Sequence, residues 1–435
     1  MSTGFFVLIL ALMLLALRVP LALALIAATT LGNFFLHAQQ GWVEAFRLAG
    51  GDLFASLDGL LQNADLALVP LFILLGNLAF YAGIATRVYD AAAVWLRPLP
   101  GGLAMASIMG CGGFAAISGS SLACASTMGR ICIPEMLRLG YDPKLATSSV
   151  AAGGTLGSLI PPSILFILYG LFTGSPVEHL FLAGVLPGLL SLAGMLAVVV
   201  WWVLEDPAAA PAAPRGGATP RDAAIAAWPA ILLFAVIVGG LFSGALTATE
   251  VALISVALTL AIGVAQRRLG LDVIWRACCE SLIQSAGLVL IIAAAKLFIG
   301  FVAASDMPES LSIWVETLHL SYLVLMLSIV AVYLILGMFL DPVAVLVITL
   351  PFLMPLIQFY DLNPIWFGVI IVKLLEIGLI TPPVGLNVYV IGSVTRNVQA
   401  SQVFLGVTRF LAVDALILAI LILFPVISTL LPTGM

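Results

Sequence analysis

Residues 376–387 read EIGLITPPVGLN, which places a carboxylate, a hydroxyl and a proline pair inside an otherwise apolar run. Two further polar breaks have the same character: SGSS at 118–121, within AAISGSSLACAS, and Asp341, within GMFLDPVAVLV. The chemistry suited to such breaks is cation binding. An intact helix keeps its carbonyls bonded to itself, whereas a broken one frees them beside side-chain oxygens that suit a hard ion. A charge at the centre of a membrane helix costs about 2.5–3.5 kcal/mol on insertion scales, so an intramembrane carboxylate reads as functional by default. Each has a simpler reading. Glu376 follows Lys373 by one helical turn and the two would neutralise each other, and Asp341 would cap the helix that follows it. Arg130, in TMGRICIPEM, is the charge suited to an anionic substrate, because guanidinium stays protonated and its planar fork matches a carboxylate. A pair with Glu135, or snorkelling to the membrane surface, are the alternatives there.

Enzymatic chemistry has no comparable support. The chain has no HExxH, no GxGD carboxylate setting and no GxSxG elbow, so an intramembrane enzyme is not expected and no cofactor is implied. His37, His179 and His319 each stand near the end of an apolar run, and the five cysteines, Cys111, Cys124, Cys132, Cys278 and Cys279, have neither metal-ligand spacing nor a disulfide framework. They read as small apolar fillers. Charges confined to connecting loops form no basic face, which excludes nucleic acid as a partner.

The elements that must position these residues follow from composition. With 63% hydrophobic and 9% charged residues and a mean hydropathy of +1.23, the 435-residue chain is an all-α polytopic membrane protein, long enough for roughly nine to twelve crossings or part-crossings. Its N-terminal run lacks the features of a cleaved signal and reads as a retained helix, kinked or in two parts at Val19-Pro20. The Pro- and Ala-rich segment 205–224 reads as a linker between two apolar halves. A spacing of 221 residues relates Pro134 to Pro355, Pro143 to Pro364, Gly157 to Gly378 and Pro161-Pro162 to Pro382-Pro383, and carries Ser120 onto Asp341. Each half thus has a re-entrant hairpin, at about 101–140 and 321–358, followed by a transmembrane helix broken at Pro-Pro. Such backbone at membrane depth is tolerated only against protein or a water-filled cavity. The expected divisions are 1–65 (scaffold), 66–204 (first repeat), 205–224 (linker), 225–280 (scaffold) and 281–435 (second repeat).

Charge orients the halves. Arg87, Arg97, Arg138, Lys144, Arg215, Arg221, Arg267, Arg268, Arg276 and Arg396 fit one side, which the positive-inside rule makes cytoplasmic, while Glu178, His179, Asp306, Glu309, Glu316 and His319 fit the other. The two hairpins then enter from opposite faces. Inverted repeats with paired discontinuous helices are the pointer to a secondary-transporter site near the midplane.

FAAISGSSLACASTMGRICIPEMLRLGYDPKLATSSVAAGGTLGSLIPPSILFILYG, GALTATEVA, GMFLDPVAVLVITLPFLMPL and LLEIGLITPPVGLNVYVIG occur in the order typical of one family. The chain resembles the large membrane subunit, DctM type, of tripartite ATP-independent periplasmic (TRAP) transporters, from about residue 69 to 401. The resemblance implies an elevator-type transporter of the ion-transporter fold in the bacterial inner membrane, driven by sodium. It implies three partners: an organic acid, a periplasmic substrate-binding protein of DctP type, and a small four-helix membrane subunit of DctQ type, expected here as a separate chain. It also implies two sodium sites, one at Ser118, Gly119, Ser120, Ser121, Gly153, Gly154 and Thr155, the other at Gly337, Asp341, Glu376, Gly378, Thr381 and Pro382, with Arg130 toward substrate. Lys296 stands where a small residue is typical, which points to substrate charge preference or to the small subunit. Two alternatives remain open: a sodium:carboxylate symporter that needs no binding protein, and proton coupling through Asp341 and Glu376.

Overall fold

The structure, a computed structural model, describes residues 2–37, 62–211, 219–305, 317–395 and 398–434, with scattered positions between 43 and 59 and between 307 and 315. Arg215, Asp306, Glu309, Glu316 and Arg396 lie outside the described residues. Among the described residues the regular structure is helical. Seven helices are long and apolar enough to cross a membrane, or eight if the pair broken near Gly83 and bent by 61° counts as one span.

The N-terminal run is two packed helices, α1 (Ser2–Ala16) and α2 (Leu21–His37), rather than one kinked helix. Arg18 adopts φ 65, Pro20 lacks a backbone donor, and the chain turns back so that the Phe6 and Phe35 rings meet edge-on, their centroids 5.9 Å apart. At 15 and 17 residues, each is shorter than the usual span. They pack on Phe298, Phe301, Val347 and their neighbours to form a separate apolar core.

The first half continues with α3 (Leu68–Tyr81) and α4 (Ile84–Leu96). Gly83 takes φ 70 between them, a turn that glycine makes without the steric penalty of a Cβ. The first hairpin is α5 (Gly102–Ser118) and α6 (Ser121–Arg138). Then come α7 (Pro143–Gly154), the one-turn α8 (Leu156–Leu159), α9 (Ile164–Thr173) and α10 (Val177–Glu205). The second half has α11 (Pro220–Phe242), α12 (Ala248–Ala265) and α13 (Leu271–Ala304). Its hairpin is α14 (Tyr322–Gly337) and α15 (Pro342–Phe359), followed by α16 (Pro364–Gly378), α17 (Leu386–Val394) and α18 (Ala400–Leu423). The division drawn at 280/281 falls inside the uninterrupted α13.

Capping chemistry explains why the helices begin where they do. Ser120 and Asp341, 221 residues apart, are both N-caps: the Ser120 hydroxyl accepts from Ala123 N, and the Asp341 carboxylate from Val343 N and Ala344 N. Asp142 and Asn363 repeat the relationship ahead of Pro143 and Pro364, since proline suits the first helical position. Both Pro-Pro bonds are cis. The break in the first half falls at residues 160–163, after α8, where Ile160 is extended.

The described parts of the segment 205–224 include regular structure. Asp206 caps a short turn, Pro207–Ala209, and Asp142 N donates to Ala209 O at 2.8 Å. Small alanines fit against the base of the first hairpin, where Ala209 is buried, and α11 begins within the segment at Pro220. One core joins the first hairpin and α7 to α17 and α18 of the second half. A larger core unites α3, α9, α14, α15 and α16.

Candidate functional site

The tip of the first hairpin is built from close backbone contacts. Gly119 (φ 64) ends α5, and its carbonyl accepts from Ile164 N at 3.1 Å. A Cβ on Gly119 would fall 2.8 Å from Pro162 O, and one on Gly157 would fall 2.8 Å from the Ser120 carbonyl carbon. The tip is therefore held directly on the first Pro-Pro break. In the second half Gly378 plays the part of Gly157: its Cβ would meet Gly337 Cα at 2.9 Å.

Glu376 crosses between these two assemblies. Its carboxylate is buried and accepts the Ser121 hydroxyl, at 2.8 Å to Oε1 and 2.7 Å to Oε2. Ser121 Oγ also lies 2.8 Å from Ser158 Oγ. With Ser121 donating to the carboxylate, Ser158 donates to Ser121. Expectation divided Ser121 and Glu376 between two sites, and the fold brings them together. Ser158 was not among the expected residues. Its signal in the sequence is a hydroxyl three residues before Pro161, opposite the polar tip.

Lys373 does not form with Glu376 the pair that was the alternative reading of their one-turn spacing. Its ammonium lies 2.5 Å from Asp414 Oδ1 on α18 and donates to Ser191 Oγ on α10 at 3.1 Å. All three side chains are buried. Helix α16 faces α18 on one side and the hairpin tip on the other, so residues one turn apart meet different neighbours.

The other expected ligands vary in availability. Ser118 Oγ is buried with no hydrogen-bond partner among the described residues, and so is Asn387 Oδ1. Asn387 N donates to Leu379 O and its amide to Ala151 O, so it stands between the two broken helices. Thr155 and Thr381 return their hydroxyls to their own helices, at Ala152 O and Ile377 O, both at 2.6 Å. Gly153 and Gly154 let helices approach: Cβ atoms there would meet Cys111 Sγ at 3.1 Å and Ala125 Cβ at 2.9 Å. Asp341 and Pro382 occupy the cap of α15 and the second break. Cys111, Cys124 and Cys132 are buried fillers, but Cys278 is exposed.

Arg130 is exposed, has no ion-pair partner among the described residues, and lines a cavity of about 700 Å³ between the first hairpin and helices α3 and α13. The pair with Glu135 is not formed. Ser118, Ser120, Ser126 and Thr127 line the same wall, while Asn77 on α3 and Glu280 and Gln284 on α13 line the other. These last three were missed because the apolar helices that carry them signal membrane burial rather than a site. Lys296 is not among the lining residues.

Residues 7–427 match the family described as tripartite ATP-independent periplasmic transporter, DctM component. The chain is 37% identical over 340 residues to the C4-dicarboxylate TRAP transporter large permease protein DctM of Pseudomonas aeruginosa, covering 77% of this chain and 78% of that one. It is 31% identical to the sialic acid TRAP transporter large permease protein SiaM of Vibrio cholerae, covering 86% and 87%. The fold resembles the crystal structure of the Alcanivorax borkumensis YdaH transporter, with a TM-score of 0.62 at 15% identity, over 88% of this chain and 89% of that one. Extensive sequence similarity to DctM proteins, on a helical fold long enough for multiple crossings, makes this a multi-pass membrane protein that belongs to the DctM family of TRAP transporter permeases.

Proposed function

We propose that the chain is the large permease of a sodium-driven importer that takes an organic acid from an extracytoplasmic substrate-binding protein and works with a small membrane subunit. One observation carries this reading. A single hairpin bears Arg130, in the cavity with no ion-pair partner among the described residues, and Ser121, bonded to the buried carboxylate of the second half. The anion contact and one of the ion-binding oxygens therefore share one hairpin, as coupling requires. Related permeases named for C4-dicarboxylate and sialic acid support an organic acid as cargo.

The donors fit a hard monovalent cation. Ser118 Oγ and Asn387 Oδ1 are buried without hydrogen-bond partners among the described residues, and Glu376, Ser121 and Ser158 offer further oxygens around the tip. Hydroxyl, amide and carboxylate oxygens suit a hard ion better than a soft one. Sodium bound there would offset the buried charge of Glu376. Arg130 would hold the substrate carboxylate in bidentate fashion, and the tip hydroxyls would orient it. The hairpin is pinned to both breaks through Gly119, Gly157 and Glu376, so movement of the two broken helices would carry the cavity wall with them.

The test is uptake of radiolabelled organic acids into proteoliposomes holding this chain and its small subunit, with sodium and the cognate binding protein each present or withheld. Uptake that requires both supports the tripartite reading. Uptake with sodium alone would make the chain a conventional symporter, and uptake indifferent to sodium would overturn the coupling.

A further inference from the structure

We propose that Glu280 is a specificity-determining residue that restricts the cavity to organic acids with a single negative charge, whose other polar groups are neutral. This rests on the reading of the cavity as the substrate site.

Among the described residues the lining holds one cationic side chain, Arg130, on the hairpin wall, and one anionic side chain, Glu280, on the α13 wall. The remaining polar lining is neutral: Asn77 on α3, Gln284 on α13, and Ser118, Ser120, Ser126 and Thr127 on the first hairpin. A first carboxylate on the substrate finds its partner in Arg130. A second would find no counter-charge on the lining and would share the cavity with a fixed carboxylate, and like charges brought together out of bulk water repel strongly. A hydroxyl or amide in the same place meets groups that donate or accept as needed. Volume does not discriminate here, since about 700 Å³ accommodates either kind of small acid.

Glu280 is held in place. Tyr81 Oη donates to Glu280 Oε1 at 2.8 Å, bridging α3 and α13. The next residue, Ser281, accepts from Asn77 Nδ2 at 2.8 Å and donates to Ala277 O at 2.6 Å. The second oxygen of Glu280 has no hydrogen-bond partner among the described residues. Arg276, one turn earlier on α13, is exposed and does not line the cavity, although it too reaches the Tyr81 hydroxyl. The carboxylate is thus pinned by one oxygen to the wall of the cavity it lines.

Succinate and succinamate share a skeleton and differ by one charge, so they isolate the effect. The chain and its small subunit, reconstituted in nanodiscs with sodium at neutral pH, are titrated with each while the thermal unfolding midpoint is followed. Succinamate is expected to act at concentrations at least tenfold below succinate. Glu280→Gln is expected to bring the two within about threefold, by improving succinate rather than weakening succinamate. Tyr81→Phe, which removes the hydrogen bond and keeps the charge, is expected to preserve the discrimination. Equal response of the unmodified protein, a preference for succinate, or loss of discrimination in Tyr81→Phe would overturn the proposal and leave the cavity as an organic-acid site. If neither compound shifts the midpoint, the substrate-site reading fails and takes the proposal with it.

Discussion

The hydroxyl of Ser121 is bonded to both carboxylate oxygens of Glu376, at 2.7 and 2.8 Å, across 255 residues of chain. It ties the hairpin of the first half to the broken helix of the second. A hydrogen bond to a buried charge contributes roughly 1.5–3 kcal/mol, and here it also spans the two halves whose joint movement would constitute transport.

Ser121→Ala and Glu376→Gln should therefore impair the sodium response more than the fold. In proteoliposome uptake, the sodium concentration giving half-maximal rate should rise at least tenfold for either variant. Glu376→Asp should retain part of the response. An unchanged sodium dependence in both would separate this junction from ion coupling.

Arg130→Gln should raise the half-saturating concentration of the organic acid roughly ten- to hundredfold, the equivalent of a lost hydrogen bond to a charged group. Arg130→Lys keeps the charge but loses the planar fork, and should fall between. Uptake titrations at saturating sodium distinguish the three.

Lys373 and Asp414 are 2% and 1% exposed. Removing one partner leaves the other buried and unpaired, so Lys373→Ala or Asp414→Ala should each destabilise the protein by about 3–5 kcal/mol. The double variant Lys373→Met, Asp414→Leu should recover much of that loss. Thermal unfolding in detergent, at one ligand and sodium concentration, reads both effects.

Gly157 and Gly378 are matched in position and in tightness, with added Cβ atoms meeting backbone at 2.8 and 2.9 Å. Backbone cannot yield as a side chain does, and overpacking of this kind costs about 1–3 kcal/mol. Gly157→Ala and Gly378→Ala should each lower the unfolding midpoint and the uptake rate. Gly174→Ala is a poor control despite its open surroundings, because its φ is 71; Gly239→Ala, with nothing within 4 Å, should leave both readings unchanged.

Two sodium ions carried with a monocarboxylate would move one net positive charge inward, worth about 2.3 kcal/mol per 100 mV. Uptake of such a substrate should accelerate with an inside-negative potential and generate current. A potential-independent rate would argue against that stoichiometry.

Much of the architecture is legible in the chain because bilayer physics acts locally: apolar length marks helices, Pro-Pro and polar tips mark breaks, and Asp142-Pro143 and Asn363-Pro364 mark starts. The spacing of 221 residues also located Ser120 and Asp341 as matched positions, and both prove to be caps. Partner choice was not legible. Glu376 and Lys373 are one turn apart, yet one meets Ser121 and the other Asp414, because each points from α16 toward a helix that only packing brings near. Arg130, free of Glu135, and Glu280, on a helix that the expected division split between scaffold and second repeat, share a cavity for the same reason. Local sequence specifies where a helix begins and breaks, but a charge acquires its counterpart through contacts between distant segments, which no periodicity or motif records.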